Sequence, residues 1–164
     1  MNIPIEVIQK IQCLYIGCEV ITPHPYEDGE TLPGYLTGIH GEYRAEVQHL
    51  ENGNVWEEPA YHDYTKVSML LTPLSMLTDE DAIEVANALG IDKELNVAVR
   101  RRIARGKVLD WGKTYYGNVD LEVVDFLRSR RYALPAFGYT VDQLVEAGIF
   151  LLKTPNNEQS TSKC

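Results

Sequence analysis

The first apolar positions fall at helical spacing: Val7, Ile8, Ile11, Leu14 and Tyr15. Pro4 stands where a first-turn proline is tolerated, and Gly17 can close the end, so a helix is expected over 4–15. Beyond Gly17 the period changes. In "EYRAEVQHL", Tyr43, Ala45, Val47 and His49 alternate with Arg44, Glu46 and Gln48, the two-residue period of a half-buried strand. "CEVITP" and "GYLTGIH" precede it, separated by the turn-rich "HPYEDGETLP". Asn52-Gly53 then favours a tight hairpin, because both residues tolerate positive φ. "VWEEPAYHDY" and "KVSMLLTPL" supply further strands, with Pro59 marking an edge or a bulge.

Near position 75 helical spacing returns. Thr78 is a good N-cap, with Asp79, Glu80 and Asp81 at the positive end of the helix dipole. Ile83, Ala86 and Leu89 share one side, and Gly90 ends the helix. The stretch 92–117 admits two readings. One is a helix from Asp92 to Arg105 with Leu95, Val99 and Ile103 as its stripe. The other is a hairpin with strands 97–103 and 107–116. Asp120 caps a helix to about Arg131, and Thr140 caps another that Gly148 terminates. "IFLLK" reads as a closing strand. Between the last two helices lies the apolar connector Ala133–Tyr139, expected to fill the corner between them as a hydrophobic staple does.

These elements imply an α+β chain: a small SH3-like antiparallel β-barrel after one helix, then a helical C-terminal part. The expected division is 1–75, then 76–153 sharing a core with the barrel, then a polar tail over 154–164.

Two segments, "LTPLSMLTDEDAIEVA" and "DFLRSRRYALPAFGYTVDQLVEAGIFLLK", resemble a loose group of small uncharacterised proteins from phages and mobile elements of gut bacteria. The match covers residues 71–87 and 125–153. The group's usual ending, "YLRSxGxALPxxGxSVDxLVxAG", has Gly at a helix C-cap where this chain has Arg130-Arg131-Tyr132, so this cap must be made without glycine. The resemblance implies a mobile-element origin and a host-cell cytoplasmic location. The group has no assigned activity, so no catalytic residues carry over.

Charge sharpens the division. The 164 residues carry a net charge of −9 and are 45% hydrophobic, enough for a core. Residues 1–92 hold three basic against sixteen acidic side chains, and residues 93–131 hold ten against five. The basic cluster Arg100, Arg101, Arg102, Arg105 and Lys107, with Trp111, Tyr115 and Tyr116 downstream, could bind phosphate and stack on bases. The competing reading is that these arginines neutralise the acidic half, as an acidic chain opposes polyanion binding. Trp56, Tyr61 and Tyr64, with Tyr35 and Tyr43, either dock a peptide or form core and cross-strand pairs; Trp56 between Asn-Val and Glu57-Glu58 is the best exposed anchor.

Other chemistry is weakly supported. His24, His40, His49 and His62 form no metal-ligand spacing, and His62-Asp63 is a dyad by adjacency only. No nucleophile elbow, phosphate-cradling glycine loop or dinucleotide fingerprint occurs, so no catalytic residue, metal or cofactor is expected. Three cysteines suit reduced thiols in a cytoplasm. The start "MNIPIEVIQK" has no basic lead or long apolar stretch, so no secretory signal is expected, and the apolar run Ile149-Phe150-Leu151-Leu152 is far short of the roughly 20 residues that span a bilayer, so no membrane partner is expected. The expected function is that of a non-enzymatic binding or adaptor protein, possible roles including antagonism of a host factor or defence system. The alternative is a nucleic-acid or nucleotide binder working through Arg100–Lys107.

Overall fold

The computed structural model describes residues 3–41, 44–112 and 120–153. It is a mixed α+β structure whose contacts divide into two units, Met1–Leu71 with Asp142–Leu151, and Thr72–Val141 with Leu152–Cys164.

The first unit is built on a seven-stranded sheet. β1 (Glu19–Pro23) pairs antiparallel with β2 (Thr31–His40), and β2 pairs with β3 (Arg44–Glu51). The other edge of β3 is shared by β4 (Asn54–Val55) and β5 (Ala60–Asp63). β1 also pairs with β6 (Ser68–Leu71), and β7 (Phe150–Leu152) takes the far edge of β6. The alternation expected in β3 is present: Ala45, Val47 and His49 are buried, and Arg44 is exposed with Glu46 and Gln48 half-buried. Asn52 and Gly53 both take positive φ, 54° and 82°, as the tight hairpin requires. Pro59 lies in the break that divides the expected single strand into β4 and β5.

The SH3-like closure is not formed. The strand path is open, with β4 and β5 at one end and β7 at the other. Closure would require the free edge of β6 to return toward β5, and β7 occupies that edge: Met69 N–H donates to the Ile149 carbonyl at 2.9 Å.

α1 (Ile5–Leu14) packs Ile8 and Ile11 inward. Its Gln12, fully buried, donates to the Tyr64 carbonyl at 2.7 Å. Tyr15 meets Phe150 edge-on, centroids 5.6 Å apart, in the same core.

In the second unit, α2 (Asp79–Ala88) starts as expected, with Thr78 Oγ1 accepting from Asp81 N–H at 3.1 Å. The described part of the ambiguous stretch contains a helix and no hairpin: α3 (Val97–Gly112) begins after Asn96, whose side chain accepts from Ala98 N–H at 2.8 Å, and residues 113–117 lie outside the described residues. It starts five residues later than Asp92, and Gly106 lies within it instead of ending it. The buried stripe is also offset by one position from the expected one, falling on Arg100, Ala104 and Val108 while Leu95 is 40% exposed. Alanines explain the shift. Ala82 and Ala86 on α2 and Ala104 on α3 are fully buried, and small side chains let paired helices approach closely.

α4 (Leu121–Ser129) is capped by Asp120, which accepts from Glu122 N–H at 2.9 Å. Its far end is closed without glycine. Arg131 takes φ +65°, its N–H bonds the Arg128 carbonyl, and Tyr132 N–H bonds the Leu127 carbonyl, both at 2.9 Å. That is a Schellman closure with arginine in the left-handed position. The connector then runs beside Thr72: Ala133 N–H donates to its carbonyl at 2.9 Å, and Thr72 N–H to that of Arg131. Leu134, Pro135 and Ala136 are buried, which accounts for their apolar character. Phe137 and Gly138, φ +55° and +88°, form the tip of a two-residue turn joined by bonds between Ala136 and Tyr139. α5 (Val141–Glu146) follows and leads to β7.

An L-residue in the left-handed region costs roughly 1–2 kcal/mol that glycine does not incur. Arg131→Gly is therefore expected to raise the stability of the chain by about 1 kcal/mol in chemical denaturation. A lower midpoint for that variant would contradict this reading of the cap.

Candidate functional site

The site grows out of the end of β3. The two-residue turn at Asn52-Gly53 sets Glu51 opposite Asn54 and Leu50 opposite Val55. One step further, Trp56 N–H donates to the His49 carbonyl at 2.9 Å. His49 and Glu51 share a face of β3, because side chains two apart point the same way. The Trp56 ring thus lies against His49, centroids 5.1 Å apart, and its indole N–H donates to Glu51 Oε1 at 3.3 Å. Gln48 Nε2 donates to the Trp56 carbonyl and fixes the same residue from the backbone side.

The loop after β1 supplies the second half. His24 N–H donates to the Glu30 carbonyl at 2.8 Å, closing the loop at its base. The His24 ring accepts at Nδ1 from the backbone N–H groups of Tyr26 (3.1 Å) and Glu27 (3.3 Å). An accepting Nδ1 leaves the proton on Nε2, which donates to Glu51 Oε2 at 3.1 Å. Glu51 therefore ties two rings, His24 through one oxygen and Trp56 through the other. The result holds Tyr26 stacked on Trp56, centroids 5.8 Å apart and planes 17° from parallel. Tyr26 is 83% exposed. Beside the pair is an open depression of about 330 Å³ lined by Tyr26, Trp56, Glu57, Glu58, Pro59 and Ala60.

Under Trp56 lies an imidazole pair. The β3–β5 register places Ala45 opposite His62 and turns His62 to the face that carries His49. Their Nε2 atoms are 2.8 Å apart. His49 Nδ1 is 3.0 Å from the Pro33 carbonyl, which can only accept, so the His49 proton is on Nδ1. His49 Nε2 is then the acceptor and His62 Nε2 the donor, with Thr22 Oγ1 at 3.4 Å. Thr22 itself donates to the Pro23 carbonyl at 2.9 Å. Both rings are neutral in this arrangement. Burial lowers the pKa of His49, offset in part by its bond to Pro33. Burial and then the neighbouring His49 push His62 from 6.5 down to about 4.

Of the three aromatic residues expected to dock a partner, Trp56 alone lines the depression. Tyr61 is half exposed on the opposite face of the sheet. There its hydroxyl donates to Glu46 at 3.4 Å, beside His40, and the Thr37 hydroxyl holds the Glu46 carboxyl below its ordinary pKa. Tyr64 is a core residue, 4% exposed. Tyr43, Tyr115 and Tyr116 lie outside the described residues.

The basic cluster is on α3. Arg100 is buried and donates to Asn87 Oδ1 at 2.6 Å. Arg105 donates to the Leu77 carbonyl at 2.9 Å and to Asp79 at 2.5 Å, and Arg101 lies 3.8 Å from the same carboxylate. These contacts hold the Asp79 carboxyl below its ordinary pKa. Arg102 and Lys107 are exposed, and Trp111 is half-buried. Cys13 is exposed and Cys18 buried, both reduced. Among the described residues, no three His, Cys, Asp or Glu side chains converge to hold a metal, and no helix is long and apolar enough to cross a membrane.

Comparison of the chain with protein-family models, with curated proteins and with solved structures finds no match in any of the three.

Two outcomes test this geometry. His62 binds a proton less readily folded than unfolded, so its share of the stability is complete above about pH 6.5 and lost as pH falls toward 4. The melting temperature is expected to drop across that window, and to drop less in His62→Gln; equal slopes for the two proteins would contradict the pair. Gly34 lies opposite His49 in the β2–β3 ladder, and a Cβ there would stand 2.7 Å from Val47 Cγ1, 2.8 Å from the Gln48 carbonyl and 3.1 Å from His49 Nδ1. Gly34→Ala is expected to cost roughly 1–3 kcal/mol, because the backbone carbonyl cannot move aside cheaply. Unchanged stability would show that the strands are not this close.

Proposed function

We propose that the chain is a non-enzymatic binding protein of phage or mobile-element origin, acting in the cytoplasm of its bacterial host. It docks a partner protein through the Tyr26–Trp56 face. The observation that carries this reading is a large aromatic side chain, 83% exposed, held in a stacked pose by four hydrogen bonds beneath it. Ordering an exposed tyrosine brings the fold little by burial. Rigid tyrosine and tryptophan are the residues that most often anchor interfaces, because they bury much area for few frozen torsions. The imidazoles beneath serve as a support. The His62 proton is directed to His49 and the His49 proton to the Pro33 carbonyl, and the nearest hydroxyl, that of Thr22, is turned to the Pro23 carbonyl.

The rival reading, nucleic-acid binding through Arg100–Lys107, receives less support. Arg100, Arg101 and Arg105 are directed to acceptors in their own unit, which leaves Arg102 and Lys107 as the outward cations.

A photo-crosslinking residue at Val55, which is 60% exposed and adjoins Trp56, tests the proposal in lysate of a gut bacterium. A discrete protein adduct is expected. Tyr26→Ala is expected to cut its yield by tenfold or more, as the loss of an interface anchor does. Adducts indifferent to Tyr26→Ala would overturn the docking face. Salt-sensitive binding of a labelled oligonucleotide, lost in Arg102→Ala with Lys107→Ala, would favour the rival instead.

A further inference from the structure

The docking face has a chemistry that narrows its occupant. From residue 11 to residue 65 the chain carries a single Lys or Arg, Arg44, against ten Asp and Glu. Arg44 opens β3 and Glu51 ends it, which puts that cation about 23 Å from the site along the strand. Salt screens charges over about 8 Å, so Arg44 does not neutralise the acids around the depression. Glu57 and Glu58 are adjacent in the chain, both exposed, and both line the depression beside Trp56. Neither forms an ion pair or hydrogen bond among the described residues. Glu51 is engaged through both oxygens, by His24 and Trp56, which leaves Glu57 and Glu58 as the lining carboxylates without such bonds.

A fixed aromatic surface flanked by two free carboxylates has the complement of one side chain in particular. Guanidinium is flat, stacks on the face of tryptophan or tyrosine, and offers paired N–H groups to carboxylate oxygens. An ammonium meets the charge but not the planar stack. A neutral proline-rich segment meets the aromatic rings but leaves both carboxylates to be desolvated without a partner. The open shape of the depression, with Pro59 and Ala60 also lining it, suits an extended segment lying across it.

We infer that the Tyr26–Trp56 depression binds an arginine side chain presented by an extended peptide segment of the partner protein. In this arrangement the guanidinium lies over the aromatic pair and Glu57 and Glu58 take its N–H groups. This assignment rests on the docking function proposed above and specifies its ligand.

The test uses the full chain, ¹⁵N-labelled, titrated with three short peptides that share a neutral Gly-Pro framework. The central residue is arginine, citrulline or lysine. Citrulline keeps the size and planarity of arginine and lacks the charge. The Trp56 indole N–H resonance reports on the site, and that of Trp111 is the internal control. The arginine peptide is expected to shift the Trp56 signal and to bind at least tenfold more tightly than the citrulline peptide. It should also bind more tightly than the lysine peptide, and its affinity should fall as salt is raised. Glu57→Gln with Glu58→Gln is expected to abolish the preference for arginine over citrulline while the Trp56 signal stays in place, which reports an intact fold. Equal binding of arginine and citrulline peptides overturns the arginine assignment and leaves the docking face standing. A Trp56 signal that no peptide moves also overturns the assignment, and the Val55 crosslinking experiment then decides the docking face by itself.

Discussion

Everything at the candidate site follows from β3 being paired along both edges. On one side it carries β2, and on the other it carries β4 and then β5. A strand held on both edges cannot slip, since a shift of one residue would send Val47 and His49 to the outer face and bring Glu46 and Gln48 into the core. The fixed register sets His49 beside His62, sets Trp56 over His49, and leaves Glu51 able to reach both halves of the site. Gly34 permits the close β2–β3 approach, and through it the bond from His49 to the Pro33 carbonyl.

The site is a layered structure with opposite demands at its two levels. Below, polar groups are buried, and burial of an unpaired polar group is costly, so each imidazole proton has an acceptor. Above, aromatic surface faces water, and there rigidity in place of burial keeps the rings in position. Glu51 links the levels, because its carboxylate accepts from the histidine that organises the loop and from the tryptophan that forms the face. The surrounding loops are acidic: from residue 11 to residue 65, ten Asp and Glu stand against a single Lys or Arg.

Much of the fold could be read along the chain, where periodicity is strong. The first helix, the alternation in β3, the Asn52-Gly53 turn and the caps at Thr78 and Asp120 all follow from local chemistry. Closure of the sheet did not follow, because it depends on β7 arriving from the far end of the chain to take the edge of β6. The face of α3 was misplaced by one position because its stripe is interrupted by a buried arginine, which a hydrophobic count scores as polar. The place of Trp56 just beyond the turn was legible, whereas the place of Tyr26 beside it was not, since nothing in "HPYEDGE" reveals that a histidine ring fixes the loop. The contact of Trp56 with His49 was available in principle: a two-residue turn at 52–53 pairs 51 with 54, 50 with 55 and so 49 with 56. The meeting of His49 with His62 was not, because it needs the register across the irregular segment around Pro59.

The claim at the centre of this account is that Tyr26 is held against Trp56 in the protein by itself. Nuclear Overhauser effects between the two rings in the free protein near neutral pH measure it directly. Cross-peaks between the Tyr26 ring protons and the indole are expected, and they should weaken in Glu51→Ala. A Tyr26 ring with no cross-peak to the indole, tumbling independently of it in the intact protein, would contradict the account.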